Sequence, residues 1–269
     1  IWVYRDWVRD GTVQAQVAYG DGPSDQSVVA STVFDNETDL EGGWLLNETS
    51  NSDNALDVTS NNNDGTREKS ATADATGQVD GADEFDGNDD GVETSAFNTP
   101  TGAISVSAWM KPSAISGDNR QWLVKDGGGG FRSYIHSSDH DISWKIAGNE
   151  MWSNTVLEVD NWYFVTFRYD DSSNEQSVWV NGNKINSRTT SGDLQNTDSA
   201  PLMIGAIDRE SFANGKIDEA RVYNRALSKN EIGRIYSSNY IDNNVSSGST
   251  ASVHWGNLIA NYSCGFSAI

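Results

Sequence analysis

Four residues in one short loop have side chains that could bind a divalent cation. They are two aspartates and two asparagines, Asp57, Asn61, Asn63 and Asp64. Calcium takes about six to eight oxygen ligands from carboxylates, amide side chains and backbone carbonyls, and a short Asp/Asn loop can supply them. The pattern therefore predicts bound calcium. The alternative interpretation is a turn in which these side chains accept hydrogen bonds from their own backbone.

A second acidic group follows within residues 79–93. Asp86, Asp89 and Asp90 could form another cation site, but a solvated acidic turn is the favoured interpretation. Neither loop has the glutamate that an EF-hand carries at its twelfth position.

The ten tryptophans are candidate platforms for a sugar, because carbohydrate sites combine aromatic rings with a few converging polar groups. Four of them are predicted to be core residues, since they lie within strand-like patterns: Trp109, Trp144, Trp162 and Trp179. Trp122 and Trp152 border loops instead. We expect the side chains of these two residues to be exposed and to bind the ligand.

Catalytic patterns are weak in this chain. Glycoside hydrolysis needs two carboxylates about 5–9.5 Å apart, yet the two Glu-x-Asp pairs, Glu84 with Asp86 and Glu158 with Asp160, do not extend to a further alternating acid. No Ser-His-Asp order, glycine-rich phosphate loop or CxxC motif is present in the sequence. Residues 137–144 resemble the Asp-box of sialidases, a hairpin turn without a catalytic role. We predict no enzymatic activity and no catalytic residue.

The charge of the chain excludes several partners. There are 39 acidic and 18 basic residues, for a net charge of -21. Nucleic acid and anionic membranes require a basic surface. An acidic surface suits high salt, where screening weakens self-repulsion, so the composition is halophile-like.

Other features favour an extracellular protein. The chain begins with Ile1 and has no apolar run long enough to span a bilayer, so we expect a processed piece of a longer protein. Cys264 is the single cysteine, which excludes an internal disulfide. Four Asn-x-Ser/Thr sequons are present.

Short strands at even spacing predict an all-β sandwich of two sheets. Residues 105–110 alternate, residues 162–169 are rich in aromatic and β-branched side chains, and Asn181-Gly182 is a strong hairpin signal.

The segment 214–236 is predicted to close the sheets. Asn214-Gly215 indicates a turn, and Ile217, Glu219 and Arg221 alternate as in a strand. Ser228 with Glu231 fits a capping box at the start of one short helix.

The order of these motifs carries a family resemblance. DVTSNNNDGT, FDGNDDGV, SVSAWMKP, NWYFVTFRYD, VWVNG, LMIG and GKIDEARVYNRALSKNEI follow one another in residues 43–240. This region resembles the laminin-G-like, concanavalin A-like jelly-roll modules of microbial surface proteins. The resemblance implies an antiparallel jelly roll, in which Asp218 lies beside the Asp57–Asp64 loop and helps hold a structural calcium.

Three segments and two functional hypotheses follow. Residues 1–35 are expected to end a preceding small β domain, and residues 241–269 to form a linker and a strand-like tail.

The first functional hypothesis is an extracellular recognition or adhesion module that binds a glycan or a cell-surface component. The alternative is a structural subunit of a filament or virion, which self-assembles with neighbouring subunits when its terminal segments add strands to them.

Overall fold

Short strands dominate the chain, as the sequence predicts. The computed structural model describes residues 2–7, 13–18, 39–51, 54–69, 71–79, 81–116, 120–125, 130–146, 148–190, 200–207, 211–238, 254–255 and 258–259. Strands are numbered along the chain. Within the described residues, we find no helix with the length and apolar character needed to cross a bilayer.

One layer is a seven-stranded antiparallel sheet. Its strands, in spatial order, are β12 (Asn149–Val156), β11 (Asp141–Ile146), β10 (Phe131–Ile135), β9 (Arg120–Lys125), β16 (Met203–Ile204), β7 (Gly91–Thr94) and β4 (Gly65–Glu68).

The other layer is an eight-stranded antiparallel sheet. Seven of its strands, in spatial order, are β15 (Asn183–Thr189), β14 (Glu175–Val180), β13 (Tyr163–Asp170), β8 (Ala103–Pro112), β19 (Asn214–Tyr223), β6 (Gly81–Asp86) and β5 (Thr72–Thr76). The eighth, β3 (Leu40–Trp44), also pairs with β19.

Three small antiparallel pairs complete the strands: β1 (Trp2–Trp7) with β2 (Val13–Ala18), β17 (Ala206–Ile207) with β18 (Ser211–Phe212), and β20 (His254–Trp255) with β21 (Leu258–Ile259). Apart from the first and last of these pairs, the predicted terminal segments 1–35 and 241–269 lie outside the described residues.

The main core lies between the two sheets. Val106, Ala108 and Met110 occupy alternate positions of β8 and face this core, because successive side chains of a strand point to opposite faces. Across the sandwich, the ring of Phe167 in β13 stacks on Trp144 in β11 with centroids 5.2 Å apart. The predicted two-sheet jelly roll is confirmed.

A second apolar cluster covers the outer face of the eight-stranded sheet. Trp109, Phe164 and Trp179 point away from the main core and pack with residues of helix α1 (Lys229–Ser238). Tyr236 of this helix contacts Trp109, with ring centroids 5.6 Å apart. The helix therefore shields this cluster from solvent.

The predicted capping box is present at the start of α1. The Ser228 amide donates to the Glu231 carboxylate at 2.7 Å, and the Glu231 amide donates to Ser228 Oγ at 3.3 Å. Two amides that the helix itself leaves without acceptors are thus satisfied.

The closing strand differs from its predicted pattern in two ways. No turn occurs at Asn214-Gly215, because both residues lie in β19, where Gly215 allows close approach to Lys111: a Cβ would lie 2.1 Å from the Lys111 carbonyl oxygen. A bulge then interrupts the alternation, with Glu219 in the left-handed region at φ 57°. Ile217 and Ala220 consequently face the core.

Candidate functional site

One end of the seven-stranded sheet carries an exposed tryptophan on its outer face. Trp152 in β12 lies directly opposite Ser143 in β11, and Ser143 lies opposite Tyr134 in β10. Residues directly opposite on neighbouring strands point to the same face. Their strand neighbours Ile135 and Met151 belong to the main core. The three residues therefore form a row that faces away from the core.

Aromatic rings make this row continuous. Trp152 is 48% exposed, whereas Tyr134 is buried. The His136 ring lies between them, with its centroid 5.5 Å from Trp152 and 6.3 Å from Tyr134. We call Tyr134, His136 and Trp152 the aromatic patch. Such a surface offers a flat apolar ring beside polar atoms.

The hairpin between β10 and β11 positions His136. Its amide donates to the Asp141 carbonyl at 2.9 Å, and its carbonyl accepts the His140 amide at 3.0 Å. His140 has a left-handed φ of 59°. On the imidazole, Nδ1 lies 3.0 Å from Ser138 Oγ. The hairpin expected from the Asp-box-like segment is confirmed.

A buried carboxylate connects this hairpin to β12. Asp141 accepts hydrogen bonds from Ser143 Oγ at 3.2 Å and from the Asn154 amide at 2.9 Å. Because Asn154 is two residues beyond Trp152, these bonds hold the strand that carries the indole.

Side chains of β15 hold the other side of β12. Asn186 donates through Nδ2 to the Trp152 carbonyl at 2.8 Å, and the Arg188 guanidinium donates to the Glu150 carbonyl. β12 is the last strand of its sheet, so these bonds satisfy carbonyls that a new strand would otherwise use. The backbone beneath Trp152 is fixed from both sides.

A row of charged residues runs beside the aromatic patch on the same face. Arg132 in β10 is directly opposite Lys145 in β11, and Lys145 is opposite Glu150 in β12. All three are partly exposed. Each lies two positions along its strand from a member of the first row, and thus shares its face.

The predicted calcium loop is organised around Asp57 by hydrogen bonds. One carboxylate oxygen accepts the Gly43 and Thr59 amides, both at 3.0 Å. The other accepts Thr59 Oγ1 and the Asn63 amide, both at 2.8 Å. An ionised carboxylate has about four lone-pair sites, so Asp57 has none left for a metal.

The remaining residues of this loop are also held by hydrogen bonds, within the loop and to β3. Asp64 accepts the Asp57 amide at 2.9 Å. The Asn61 and Asn63 side chains donate to the Glu41 carbonyl at 2.9 and 3.0 Å. The loop matches the hydrogen-bonded turn that was the alternative interpretation. As arranged, its residues do not fit a calcium ion bound through Asp57.

Asp218 has different partners. Its Oδ2 accepts the Gln78 and Val79 amides at 2.9 and 2.8 Å. Its Oδ1 is buried and has no hydrogen-bond partner among the described residues. Burial, reinforced by the charge of Glu219, raises the pKa of Asp218 to about 8. The structure therefore brings Asp57, Asn61, Asn63 and Asp64 together, and it gives Asp218 different partners.

Comparison with known families identifies the fold. The family model of the concanavalin A-like lectin/glucanases superfamily matches residues 86–233, more than half of the chain. The chain belongs to this superfamily. A comparison with curated proteins finds no match.

Solved structures of similar fold come from diverse proteins. Domain 4 of AbnA, a GH43 extracellular arabinanase from Geobacillus stearothermophilus in complex with arabinotriose, has a TM-score of 0.60 and 20% identity; the match covers 72% of this chain and 97% of that one. The binding domain of Paraclostridial Mosquitocidal Protein 1 has a TM-score of 0.59 and 14% identity, with coverage of 75% and 52%. A Trypanosoma rangeli sialidase has a TM-score of 0.54 and 15% identity, with coverage of 72% and 32%. These likenesses extend to the fold alone.

Trp122 was expected to be exposed and to bind a ligand. It is fully buried in the main core, so the predicted exposure is wrong. The register between β9 and β10 shifts next to Trp122, where Leu123 pairs with Ser133 and Gln121 with Tyr134. This bulge directs Trp122 to the same side as Leu123. Trp152 has the predicted exposure, and its ligand-binding role stays a prediction.

The second acidic group lies at an open groove of about 370 Å³. The carboxylates of Asp86, Asp89 and Asp90 lie within 4.8 Å of one another. Hydrogen bonds from Asn88 lower the pKa of Asp86, which therefore does not have the raised pKa of a general acid. Glu84, its partner in the Glu-x-Asp pair, lies 3.8 Å from Lys216 Nζ.

The sequence analysis assigned no ligand-binding role to Tyr134 or His136. The available signal was the alternation of residues 132, 134 and 136, which places them on one face of a strand. The tryptophan that they contact depends on the register in which β10, β11 and β12 pair. Local sequence patterns do not predict that register.

Proposed function

We propose that this chain is an extracellular glycan-binding module in which the Trp152 indole supports one face of a sugar ring. The exposure of Trp152 carries the proposal. Trp109, Trp122, Trp144 and Trp179 are at most 6% exposed, whereas Trp152 is 48% exposed. An indole left open on an ordered surface is a common mark of an interaction site.

Polar groups around the indole support the same function. His136 lies beside the ring, and Ser138, Asp139 and Asn154 are exposed nearby. Sugar hydroxyls need such donors and acceptors for orientation, while the ring supplies the apolar contact. The arabinanase domain of similar fold is in complex with arabinotriose, which agrees with this class of ligand.

A glycan array followed by titration of the best ligand tests the proposal. Trp152→Ala should weaken binding at least about tenfold, which corresponds to roughly 1.4 kcal/mol. Leu56→Ala is the matched control, because Leu56 is 53% exposed in a different part of the chain. It should bind like the parent. A parent that binds no glycan, or equal affinity in Trp152→Ala, would contradict the proposal.

The assembly alternative concerns segments that lie largely outside the described residues. At the one sheet edge discussed above, Asn186 and Arg188 occupy carbonyls of β12. That arrangement disfavours strand addition at β12, and we propose no assembly role.

A further inference from the structure

Two cations face each other beside the exposed indole. Arg132 and Lys145 are directly opposite on neighbouring strands and point to the same face as Trp152. Directly opposite residues have Cβ atoms about 4.5–5.5 Å apart, and like charges in such positions repel each other. The pair therefore concentrates positive charge at this point of the sheet.

Two neighbouring cations are unusual in a chain with so few basic residues. The chain has 18 basic residues against 39 acidic ones, so cations are scarce over the whole surface. Glu150 is opposite Lys145 on the other side, yet within the described part of the chain the Lys145 ammonium makes no ion pair or hydrogen bond. Among these residues, nothing takes up its charge.

The spacing suits an acidic sugar. Lys145 is diagonal to Trp152, because Trp152 pairs with Ser143 and Lys145 is two residues further along β11. Diagonal neighbours lie about 7–8 Å apart. A sugar ring on the indole can therefore place an attached carboxylate or sulfate within reach of the lysine side chain.

We infer that the ligand of this face is an anionic glycan, whose ring lies on Trp152 and whose carboxylate or sulfate oxygens bind Lys145, with Arg132 adding to the positive potential. This inference rests on the proposed glycan-binding function. Carboxylate and sulfate share the chemistry of an oxyanion that accepts charge-assisted hydrogen bonds. Because the protein as a whole is strongly acidic, a polyanion gains nothing from non-specific attraction.

A glycan array with matched backbones tests the inference on the full chain. It should include neutral, uronic-acid and sulfated forms of the same sugars, for example dextran, carboxymethyl dextran and dextran sulfate. The parent protein should bind at least one anionic form about tenfold more tightly than its neutral counterpart at low salt. The part of this preference that depends on Lys145, measured as the difference between the parent and Lys145→Gln, should decrease as salt rises, because screening weakens exposed charge pairs. The carboxylate and sulfate arms distinguish the two sources of the anion.

Two variants that each remove one positive charge show whether the preference for anionic glycans depends on Lys145. Lys145→Gln should remove about tenfold of the preference for the anionic form, whereas Lys145→Arg should retain it. Lys184→Gln is the control, since it removes the same charge from β15, where Lys184 pairs with Glu175. It should leave the preference unchanged. The melting temperature of Lys145→Gln should stay close to that of the parent, because Lys145 makes no ion pair or hydrogen bond with the described residues and surface substitutions are usually small in effect.

The outcomes separate this inference from the proposed function. If a neutral glycan binds as tightly as its anionic forms and depends on Trp152 but not on Lys145, the inference is overturned and the proposed function stands. If no glycan binds, or Trp152→Ala has no effect, both are overturned.

Discussion

The outer faces of both sheets carry tryptophan side chains, but these differ in their exposure to solvent. On the eight-stranded sheet, Trp109 and Trp179 lie beneath helix α1 and are nearly inaccessible. On the seven-stranded sheet, no element among the described residues covers Trp152 in the same way, and its side chain is about half exposed. The comparison teaches that alternation places a tryptophan on an outer face, and that a separate element decides whether it becomes core or surface.

The covered face also contains a buried carboxyl group. Asp218 lies opposite Trp109, and its two hydrogen bonds hold the backbone at Gln78 and Val79. The open face instead displays charges that contact solvent. Substitutions on the covered face should therefore affect stability, and substitutions on the open face should affect binding.

The largest effect is expected from truncating the covered tryptophan. Trp109→Ala should lower the free energy of unfolding by about 3–5 kcal/mol, because it leaves a cavity among Phe164, Tyr236 and the sheet. Trp152→Ala should change it by less than about 0.5 kcal/mol, as is usual for surface substitutions. Urea denaturation of both variants measures the difference. Similar losses in the two would show that both faces are structural.

Removal of the Asp218 carboxyl should have the next largest effect. Asp218→Ala leaves the Gln78 and Val79 amides without their acceptor, which should cost about 2–4 kcal/mol of unfolding free energy. Asp218→Asn retains an acceptor oxygen and should cost much less at pH 7. Equal destabilisation by the two variants would mean that the hydrogen bonds do not stabilise the fold.

The same carboxyl predicts a pH dependence. Its folded-state pKa is raised from 3.8 to about 8, so between these values the native state holds a proton that the unfolded chain has released. Its contribution to stability is therefore fully present at low pH and is lost as pH rises toward 8. Burial also raises the pKa of Asp83, to about 6.

Denaturation between pH 6 and 8 isolates Asp218 from Asp83. Over this window the parent should lose more stability than Asp218→Asn, whose side chain does not titrate. Parallel curves for the two proteins would contradict a raised pKa at this position.

Helix α1, which covers Trp109, can be destabilised by a single substitution. Ser228→Ala removes the capping side chain of α1 and should cost about 1 kcal/mol. Since α1 covers Trp109, the indole should become more accessible to acrylamide quenching in local openings, while glycan binding at Trp152 stays unchanged. A loss of binding would show that the two faces are coupled.

The smallest effect is expected from calcium. Because amides and a hydroxyl occupy the Asp57 carboxylate and Asp218 has separate partners, a chelator should not change the melting temperature. A fall of several degrees on chelation, restored by calcium, would support the predicted calcium site and would require these hydrogen bonds to be exchanged for metal ligands.

Local features were predictable from sequence because neighbouring residues determine them. The capping box of Ser228 and Glu231 and the hairpin at Asn181-Gly182 formed as expected, since each depends on a few residues and on backbone preferences. The alternation that predicted a sandwich was also reliable, because a strand buried on one side needs apolar residues at every second position.

Features that depend on register were not predictable. Trp122 and Trp152 both border loops in the sequence, yet a bulge turns Trp122 into the core, whereas Trp152 lies exposed on the outer face of its sheet. The bulge at Glu219 likewise replaced the expected alternation of the closing strand. A one-residue shift in pairing reverses the direction of a side chain, and local sequence does not specify such a shift.

The sequence by itself determined the class of fold, the acidic surface and the short helix that follows the closing strand. Only the tertiary structure decided which tryptophan is open and which residues surround it, because strands distant along the chain meet there. It also decided that Arg132 and Lys145 face each other beside Trp152. That meeting of distant residues, through the pairing of β10, β11 and β12, created the candidate site.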